Sequence, residues 1–450
     1  MKRMTKVLTV LMCLMTAVAF MPAWAFAGQT AEVQAAAKGS VKINYTISVA
    51  GALQVKDASI KVKDLNKNGT FDLYDAFAAI HKANKKTFAV SDGGWVTKFW
   101  SQETSNVSYM LDNNMEWSLD SVIHDGSYVY GAISEDTETY MDRYSYISDK
   151  DSNRTSSFNA CDGVDLKLDV YKTMWEAFAI DENFDFDDTT VTVNGKDTNV
   201  KVNENGTFHV DFEKAGTYYI SAYGDKESLQ FLMPATYKAV ATAAKGSIKV
   251  NYSIATKGNL NVKLASVKVT DVNKNGKFDI YDTLYKIHKA KGKKFAQNNG
   301  QIVKFWSMNT TVVGYMLNDN SAWSLDDTVQ AGDYLYAFAY QDQALCSDLY
   351  SAIVDNAGKR EVTVKRGEDV NLKLVVYGYG PAPDYAFGPV DYDYSTVAIT
   401  TNGKSGNVAI GQDGSMTLKF AKKGTYYISA KVATGSGIIT PAICKVTVKK

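Results

Sequence analysis

The chain has 450 residues, with 49 basic against 49 acidic side chains and four cysteines, so its formal net charge is zero. That balance, with no basic run, argues against a nucleic-acid partner, and no apolar stretch after the N-terminal one is long enough to cross a bilayer. The length exceeds what one hydrophobic core usually holds, so several domains are expected.

The chain starts MKRMTK, continues as the apolar run VLTVLMCLMTAVAFM and reaches PAWAFA before Gly28. A basic start, a short apolar stretch and an A-x-A-type ending predict a secretory signal peptide over residues 1–27, with a linker at 28–37. Met12 before Cys13 is a poor fit to lipoprotein processing, so export without a lipid anchor is expected. Cleavage removes Lys2, Arg3 and Lys6 from the 49 basic residues and none of the 49 acids, leaving a net charge of −3. The remaining cysteines, Cys161, Cys346 and Cys444, are odd in number and lack C-x-x-C spacing, which argues against a disulfide framework and a structural zinc site.

The next segments read as strand (VKINYTIS), strand (ASIKVKD), the polar loop DLNKNGTFDLYD at 64–75, and a helix overlapping it (LYDAFAAIHKA). Strands are predicted around VTKFW, VSYMLD and YVYGAI. Leu73, Phe77 and Ile80 recur at helical spacing and form one apolar stripe, so the span 38–158 predicts a helix embraced by a mixed sheet. From 159 to 243 the helical period disappears. Short alternating segments with Asn-Gly and Gly turns (VDLKLDVY, TTVTVNG, TFHVDF, GTYYISA) predict a β-sandwich.

The pattern then recurs. KGSVKINYTIS at 38 returns as KGSIKVNYSIA at 245, VTKFWS at 96 as IVKFWS at 302, and GTYYISA at 216 as GTYYISA at 424, an offset of 206 to 208 residues. One unit therefore occurs twice, with the second helix-containing domain at 244–363 and the second sandwich at 364–450. The fold class expected is mainly β with α+β modules, as a tandem duplication.

The polar loop fits a calcium loop of the EF-hand type. Such a loop takes oxygen ligands from positions 1, 3, 5, 7, 9 and 12 and turns sharply at a glycine in position 6. The candidate metal ligands are Asp64, Asn66, Asn68, the Thr70 carbonyl, Asp72 and Asp75 around Gly69. In the second copy they are Asp271, Asn273, Asn275, the Lys277 carbonyl, Asp279 and Asp282 around Gly276. The copies differ at Leu65/Val272, Thr70/Lys277 and Leu73/Ile280, none of which would lend a side-chain ligand. A plain connector with a helix-capping aspartate accounts for Asp72 or Asp75 but not for the alternation of Asp64, Asn66 and Asn68. Three carboxylates, with Asp rather than Glu at position 12, imply calcium affinity on the order of 10⁻⁴ to 10⁻³ M.

Phe99-Trp100 and Phe305-Trp306, with Trp117 and Trp323 further on, offer an aromatic platform for a sugar or another flat ligand, so Trp100 and Trp306 are possible ligand contacts. The competing reading, that they fill small cores, is favoured. His81 and His288 share one helical position and read as packed residues; His124 and His209 face Gln330 and Thr417 in the other copy, which gives a catalytic histidine no support. G-x-S-x-G, H-E-x-x-H and phosphate-loop motifs are absent. A glycosidase needs only two carboxylates, but its usual scaffold is missing.

FDLYDAFAAIHKA, VSYMLDNN and DGSYVY, with FDIYDTLYKIHKA, VGYMLNDN and AGDYLY in the second copy, resemble the bacterial DUF4430 family, related to the β-grasp-like C-terminal domain of transcobalamin and intrinsic factor. This resemblance implies a β-grasp-like domain and, as an alternative function, carriage of a cobalamin-like small molecule. The sandwiches are similar to the immunoglobulin-like modules of bacterial surface proteins, which implies display or adhesion. The resulting expectation is a secreted or cell-surface, non-enzymatic binding or structural protein, stabilised by calcium, whose partner is an extracellular protein or glycan.

Overall fold

The computed structural model describes residues 37–138, 142–172, 178–224, 231–380, 383, 385–406, 408–432 and 437–450. The predicted signal peptide and residues 28–36 of the linker lie outside them. The chain is mainly β, with several small sheets in tandem and, among the described residues, two α-helices. It divides into two compact units. One runs through Ser148 and takes in Lys167–Thr207 and Tyr219–Tyr237; the other comprises Asp149–Leu166, Phe208–Tyr218 and Lys238–Lys450.

In the first unit, strands Val41–Val49 and Ala52–Val62 form a hairpin closed by Ala50 and Gly51 with φ of 48° and 72°. Two successive positive φ values suit the right-handed twist of the flanking strands. Val41–Val49 also pairs in parallel with Tyr128–Ile133, from Asn44↔Tyr128 to Val49↔Ile133. A parallel pair needs a long crossover, and it is supplied by helix α1, Leu73–Ala83, and a small three-stranded sheet of Ala89–Val90, Val96–Phe99 and Gln102–Glu103. Val107–Leu111 pairs antiparallel with Tyr128–Ile133 and turns through Asp112-Asn113 into Asn114–Glu116.

Tyr128–Ile133 is therefore central, and all six of its residues are buried. Leu73, Ala76, Phe77 and Ile80 of α1 pack into the core on one side together with Val129 and Ile133. Tyr128, Tyr130 and Ala132 meet Tyr144, Tyr146 and Met233 on the other. The helical stripe expected from sequence, Leu73, Phe77 and Ile80, is fully buried.

The second unit holds the same arrangement. Strands Ile248–Thr256, Asn259–Val269, Val313–Leu317, Asn320–Ala322 and Tyr334–Ala339 form the mixed sheet, crossed by helix α2, Ile280–Ala290. After it, Tyr350–Asp355, Asp369–Tyr379, Phe387–Pro389 and Ser415–Lys419 make one sheet. Glu361–Lys365, Ile443–Lys449, Gly424–Val432, Val397–Thr401 and Lys404–Ser405 make another. Leu372, Leu374 and Val376 from the first and Ile399, Ile428, Val446 and Val448 from the second share one core, which makes this a two-sheet sandwich.

Two strands inside the spans 38–158 and 244–363 pair onward in the chain. Arg143–Asp149 pairs in parallel with Leu232–Met233, and Tyr350–Asp355 pairs antiparallel with Asp369–Tyr379. The mixed sheets thus end at Ile133 and Ala339. Alternation marks a residue stretch as a strand but does not say which sheet it joins, because that depends on partners distant in sequence.

Candidate metal centres

Each loop enters from the second strand of its mixed sheet and leaves into the helix. Asp72 is the N-cap of α1: its carboxylate accepts from the Asp75 N–H at 3.0 Å, and Asp75 reaches back to the Asp72 N–H at 3.4 Å, a reciprocal capping box. Asp279 caps α2 from one side, its carboxylate accepting the Asp282 N–H at 2.8 Å, and Asp282 Oδ2 makes no bond back. Phe71, at position 8, ties the loop to the sheet region, since its carbonyl accepts from the Ile123 N–H at 2.9 Å; Phe278 does so with Val329 at 2.8 Å.

The side chains turn inward on one another. Asp64 Oδ2 accepts from the N–H groups of Ala37 and Gly69 at 2.7 and 3.0 Å. Asp75 Oδ1 accepts from Leu65 and Asn66 at 2.7 and 3.2 Å. The amides of Asn66 and Asn68 both donate to Asp72 Oδ2, at 3.0 and 2.6 Å. In the second loop Asn273 and Asn275 converge on Asp279 Oδ2 at 2.9 and 2.7 Å, Asp271 Oδ2 holds Ala244 and Gly276, and Asp282 Oδ1 holds Val272. Gly69 and Gly276 have φ of 86° and 91°, the left-handed conformation that a sharp turn at position 6 requires. Thr70 donates its N–H and hydroxyl to Asn68 Oδ1, and the Lys277 N–H donates to Asn275 Oδ1. The two loops therefore bring their predicted side-chain residues into one polar knot each.

The electrostatics are those of crowded carboxylates. Burial, aided by the Asp72 charge, pushes the Asp75 carboxyl up. Burial and then the charge of Asp279 push Asp282 up to about 7, and burial raises Asp279 as well. At Asp64 desolvation pulls upward, but backbone N–H groups led by Ala37 and Gly69 outweigh it and hold the carboxyl below its ordinary range. Asp64 Oδ1 and Asp282 Oδ2 are buried oxygens without a hydrogen-bond partner. A buried acceptor left unsatisfied is costly, and adjacent buried carboxylates call for a proton or a cation between them.

These features fit a hard cation with oxygen ligands. Among the described residues there is no group of three or more His, Cys, Asp and Glu that could hold a metal ion. The three carboxylates of each loop are turned to N–H donors rather than gathered around one point, so an EF-hand donor set would need them to regroup with two amides and a backbone carbonyl. A half-turn of the Asn66 and Asn68 amides would present their oxygens where their nitrogens now point, toward Asp72. Asp64, Asn66, Asn68, Asp72 and Asp75, and their counterparts in the second loop, are the side chains that would hold the ion.

The tryptophans proposed from sequence as ligand contacts are placed differently. Trp100 is only 6% exposed and belongs to the core against α1, and Trp306 is half-buried on the corresponding core. The cause is the histidine expected to be packed. Buried His81 contacts the Phe77 carbonyl through Nδ1 at 2.7 Å, and its Nε2 accepts the Trp100 N–H at 2.9 Å. His288 repeats this with Leu284 and Trp306 at 2.7 and 3.0 Å. Each histidine staples the helix to the hairpin turn, where Trp100-Ser101 and Trp306-Ser307 have positive φ. Among the described residues, the exposed tryptophans are Trp95, Trp117 and Trp323, at 73, 70 and 77%. Trp95 was missed because it has no counterpart: Gln301 stands in its place in the second copy.

No protein-family model matches the sequence, and no curated protein matches it. The resemblance to DUF4430 thus rests on the motifs alone. Among solved structures, the chain is similar to invasin, a bacterial integrin-binding protein, at 10% identity and a TM-score of 0.19, covering 76% of this chain and 72% of that one. It is also similar to the Escherichia coli adhesin FdeC, at 12% identity over 67% of this chain and 96% of that one with a TM-score of 0.15. Fibronectin(III)-like modules of Clostridium thermocellum CbhA match at 9% identity over 67% and 94%, with a TM-score of 0.16. All are distant matches.

Proposed function

We propose that this chain is a non-enzymatic, secreted or cell-surface binding protein of two tandem repeats, each a β-grasp-like module with a calcium-binding loop followed by an immunoglobulin-like sandwich. The observation that carries the calcium reading is the pair of orphaned buried carboxylate oxygens, Asp64 Oδ1 and Asp282 Oδ2, set among carboxylates that crowd one another in equivalent loops. Calcium would be structural. It would neutralise the carboxylates at the helix N-terminus and stiffen the strand-to-helix connection on which the central strands depend.

Adhesion or ligand display is the role such modules would serve, with an extracellular protein or glycan as the partner. The signal-like N-terminus supports an extracellular location. A carrier that grips its ligand with Trp100 and Trp306 is disfavoured by the burial of Trp100.

Calorimetric titration of residues 28–450 with calcium tests the reading, paired with thermal unfolding in calcium and in chelator. Two sites with dissociation constants on the order of 10⁻⁴ to 10⁻³ M are expected. At 10 mM calcium each would add roughly 1.5 to 3 kcal/mol to stability. Asp64→Ala should remove one site and Asp271→Ala the other. No saturable heat, with no change in melting temperature on chelation, sinks the proposal.

A further inference from the structure

Trp95 and Trp117 flank an open cleft of about 360 Å³ in the first repeat, lined also by Val96, Asn106, Ser108, Tyr109 and Glu116. Large indoles held 70% or more in solvent are unusual on a protein surface, and two beside one cleft form an apolar patch that a ligand can cover. The positions are built. The Trp95 N–H donates to Ser91 Oγ at 3.2 Å while its carbonyl accepts from the Ser91 N–H at 2.8 Å, which closes a tight turn. Glu116 Oε2 accepts the Ser121 hydroxyl at 2.6 Å, which fixes the carboxylate.

The polar lining has unmet bonding capacity. Asn106 Nδ2 and Ser108 Oγ are buried atoms with no hydrogen-bond partner, and the Ser108 residue is only 5% exposed. Leaving such groups unsatisfied costs stability. Ser108 has a packing reason, since it pairs with Ala132 where the second repeat pairs Gly314 with the bulkier Phe338, and Asn106 has no such pairing. The second repeat acts as an internal control. At the same offset of 206 it carries Gln301 for Trp95, Val312 for Asn106, Gly314 for Ser108 and Ala322 for Glu116, and keeps Val313, Tyr315 and Trp323. It builds the same sheet without these polar groups, and its Trp323 lies against Tyr379, with ring centroids 5.7 Å apart. The same sheet is thus built with other residues at the positions of Trp95, Asn106 and Glu116, while Gly314 in place of Ser108 goes with Phe338 in place of Ala132.

We infer that this cleft is a binding site for a neutral oligosaccharide, present in the first repeat only. A pyranose ring offers flat C–H faces, which suit indole surfaces, and a rim of hydroxyls that both donate and accept. Glu116 would accept from one such hydroxyl, and the Asn106 amide, whose nitrogen is now covered, would donate to another on turning outward; Ser108 lies on the opposite face of its strand, with Ala132, and takes no part. No Lys or Arg lines the cleft and a carboxylate does, which disfavours phosphorylated and acidic ligands. This inference rests on the proposed role as a binding protein and names its ligand class; it is independent of calcium, so the two can fail separately.

The test uses residues 28–450, with cellohexaose, xylohexaose, mannohexaose and chitohexaose as neutral probes and a polygalacturonate hexamer as the acidic one. Binding is followed by tryptophan fluorescence and calorimetry. At least one neutral probe should bind with a blue shift. Trp95→Gln and Trp117→Ala should each weaken it by about tenfold or more, and Asn106→Val several-fold. Trp323→Ala should leave it unchanged. Trp95→Gln and Asn106→Val install the second repeat's own residues, so unchanged melting temperatures are expected and the loss can be read as binding. The inference is overturned if no neutral probe binds at millimolar concentration, if binding survives Trp95→Gln combined with Trp117→Ala, or if the acidic probe is preferred. Saturation of the cleft by a protein partner, with the oligosaccharides inert, overturns it as well.

Discussion

His81 illustrates how a single side chain decides the fate of its neighbour. With Nδ1 against the Phe77 carbonyl and Nε2 accepting the Trp100 N–H, the ring must be neutral and of one tautomer. Burial lowers its pKa from 6.5 to about 4, and that of His288 likewise. The unfolded imidazole takes up its proton first as pH falls. The stability each histidine contributes is therefore fully present above pH 6.5 and lost progressively toward pH 4, roughly 3 kcal/mol per ring. Asp282, raised to about 7, acts in the opposite direction over part of that range. His209 differs again: hydrogen bonds to Asp165 at 2.7 Å and Asp211 at 3.2 Å raise its pKa. An NMR titration of the imidazole C–H resonances should show two histidines titrating near pH 4 and one above 6.5. Four resonances all titrating near 6.5 would contradict the staple. The packed role of His81 was legible in sequence, since a lone helical histidine opposite a core is commonly packed. The burial of Trp100 was not, because it depends on where that histidine's far nitrogen reaches.

At the scale of the element, α1 and α2 meet their sheets with different side chains of matched volume. Phe77 packs edge-on to Phe99, with centroids 5.4 Å apart, and a Cβ on Gly131 would stand 2.7 Å from both rings. In the second repeat the corresponding pair is Leu284 and Ala337, both fully buried. The smaller helix residue leaves room for the methyl group that the larger one forbids. Gly131→Ala alone should destabilise by about 1 to 3 kcal/mol through overpacking, and Phe77→Leu alone by about 1 kcal/mol through the volume it vacates. Combined, they should recover much of the loss, giving a coupling of about 1 kcal/mol in a double-mutant cycle read by chemical unfolding. Strict additivity would mean that the two positions do not share this contact. The helix, its stripe and the loop that starts it were readable because their pattern is local. The Phe77–Gly131 fit was not, since it joins residues 54 apart in sequence.

Across the whole molecule, duplication was plain from repeated segments, whereas the reach of each repeat's sheets was not. Arg143–Asp149 and Tyr350–Asp355 follow the mixed sheets in the chain, yet they pair with strands further along. The same non-locality makes the two loops unequal. Among the described residues, the first loop's outside contacts are Ala37 and its own module. In the second unit, the Lys274 carbonyl accepts the Ala215 N–H at 2.6 Å, and the Cys161 thiol donates to the Gly276 carbonyl at 3.2 Å. A Cβ on Gly276 would lie 2.6 Å from the backbone nitrogens of Ala160 and Cys161. The second loop is thus pressed against two turns that precede it by more than fifty residues, and ordering it by calcium should order them. Hydrogen exchange at saturating calcium should slow in peptides covering 158–163 and 213–217 as well as in 271–282. Around the first loop, slowing should stay within 64–75, its Ala37 partner and its own module. Gly276→Ala, strained at φ of 91° and short of space, should abolish the effect on 158–163 and 213–217 while leaving the first loop's response intact. Exchange in those two segments that ignores calcium in the unmodified chain would show that the second loop, if it binds, stiffens only itself.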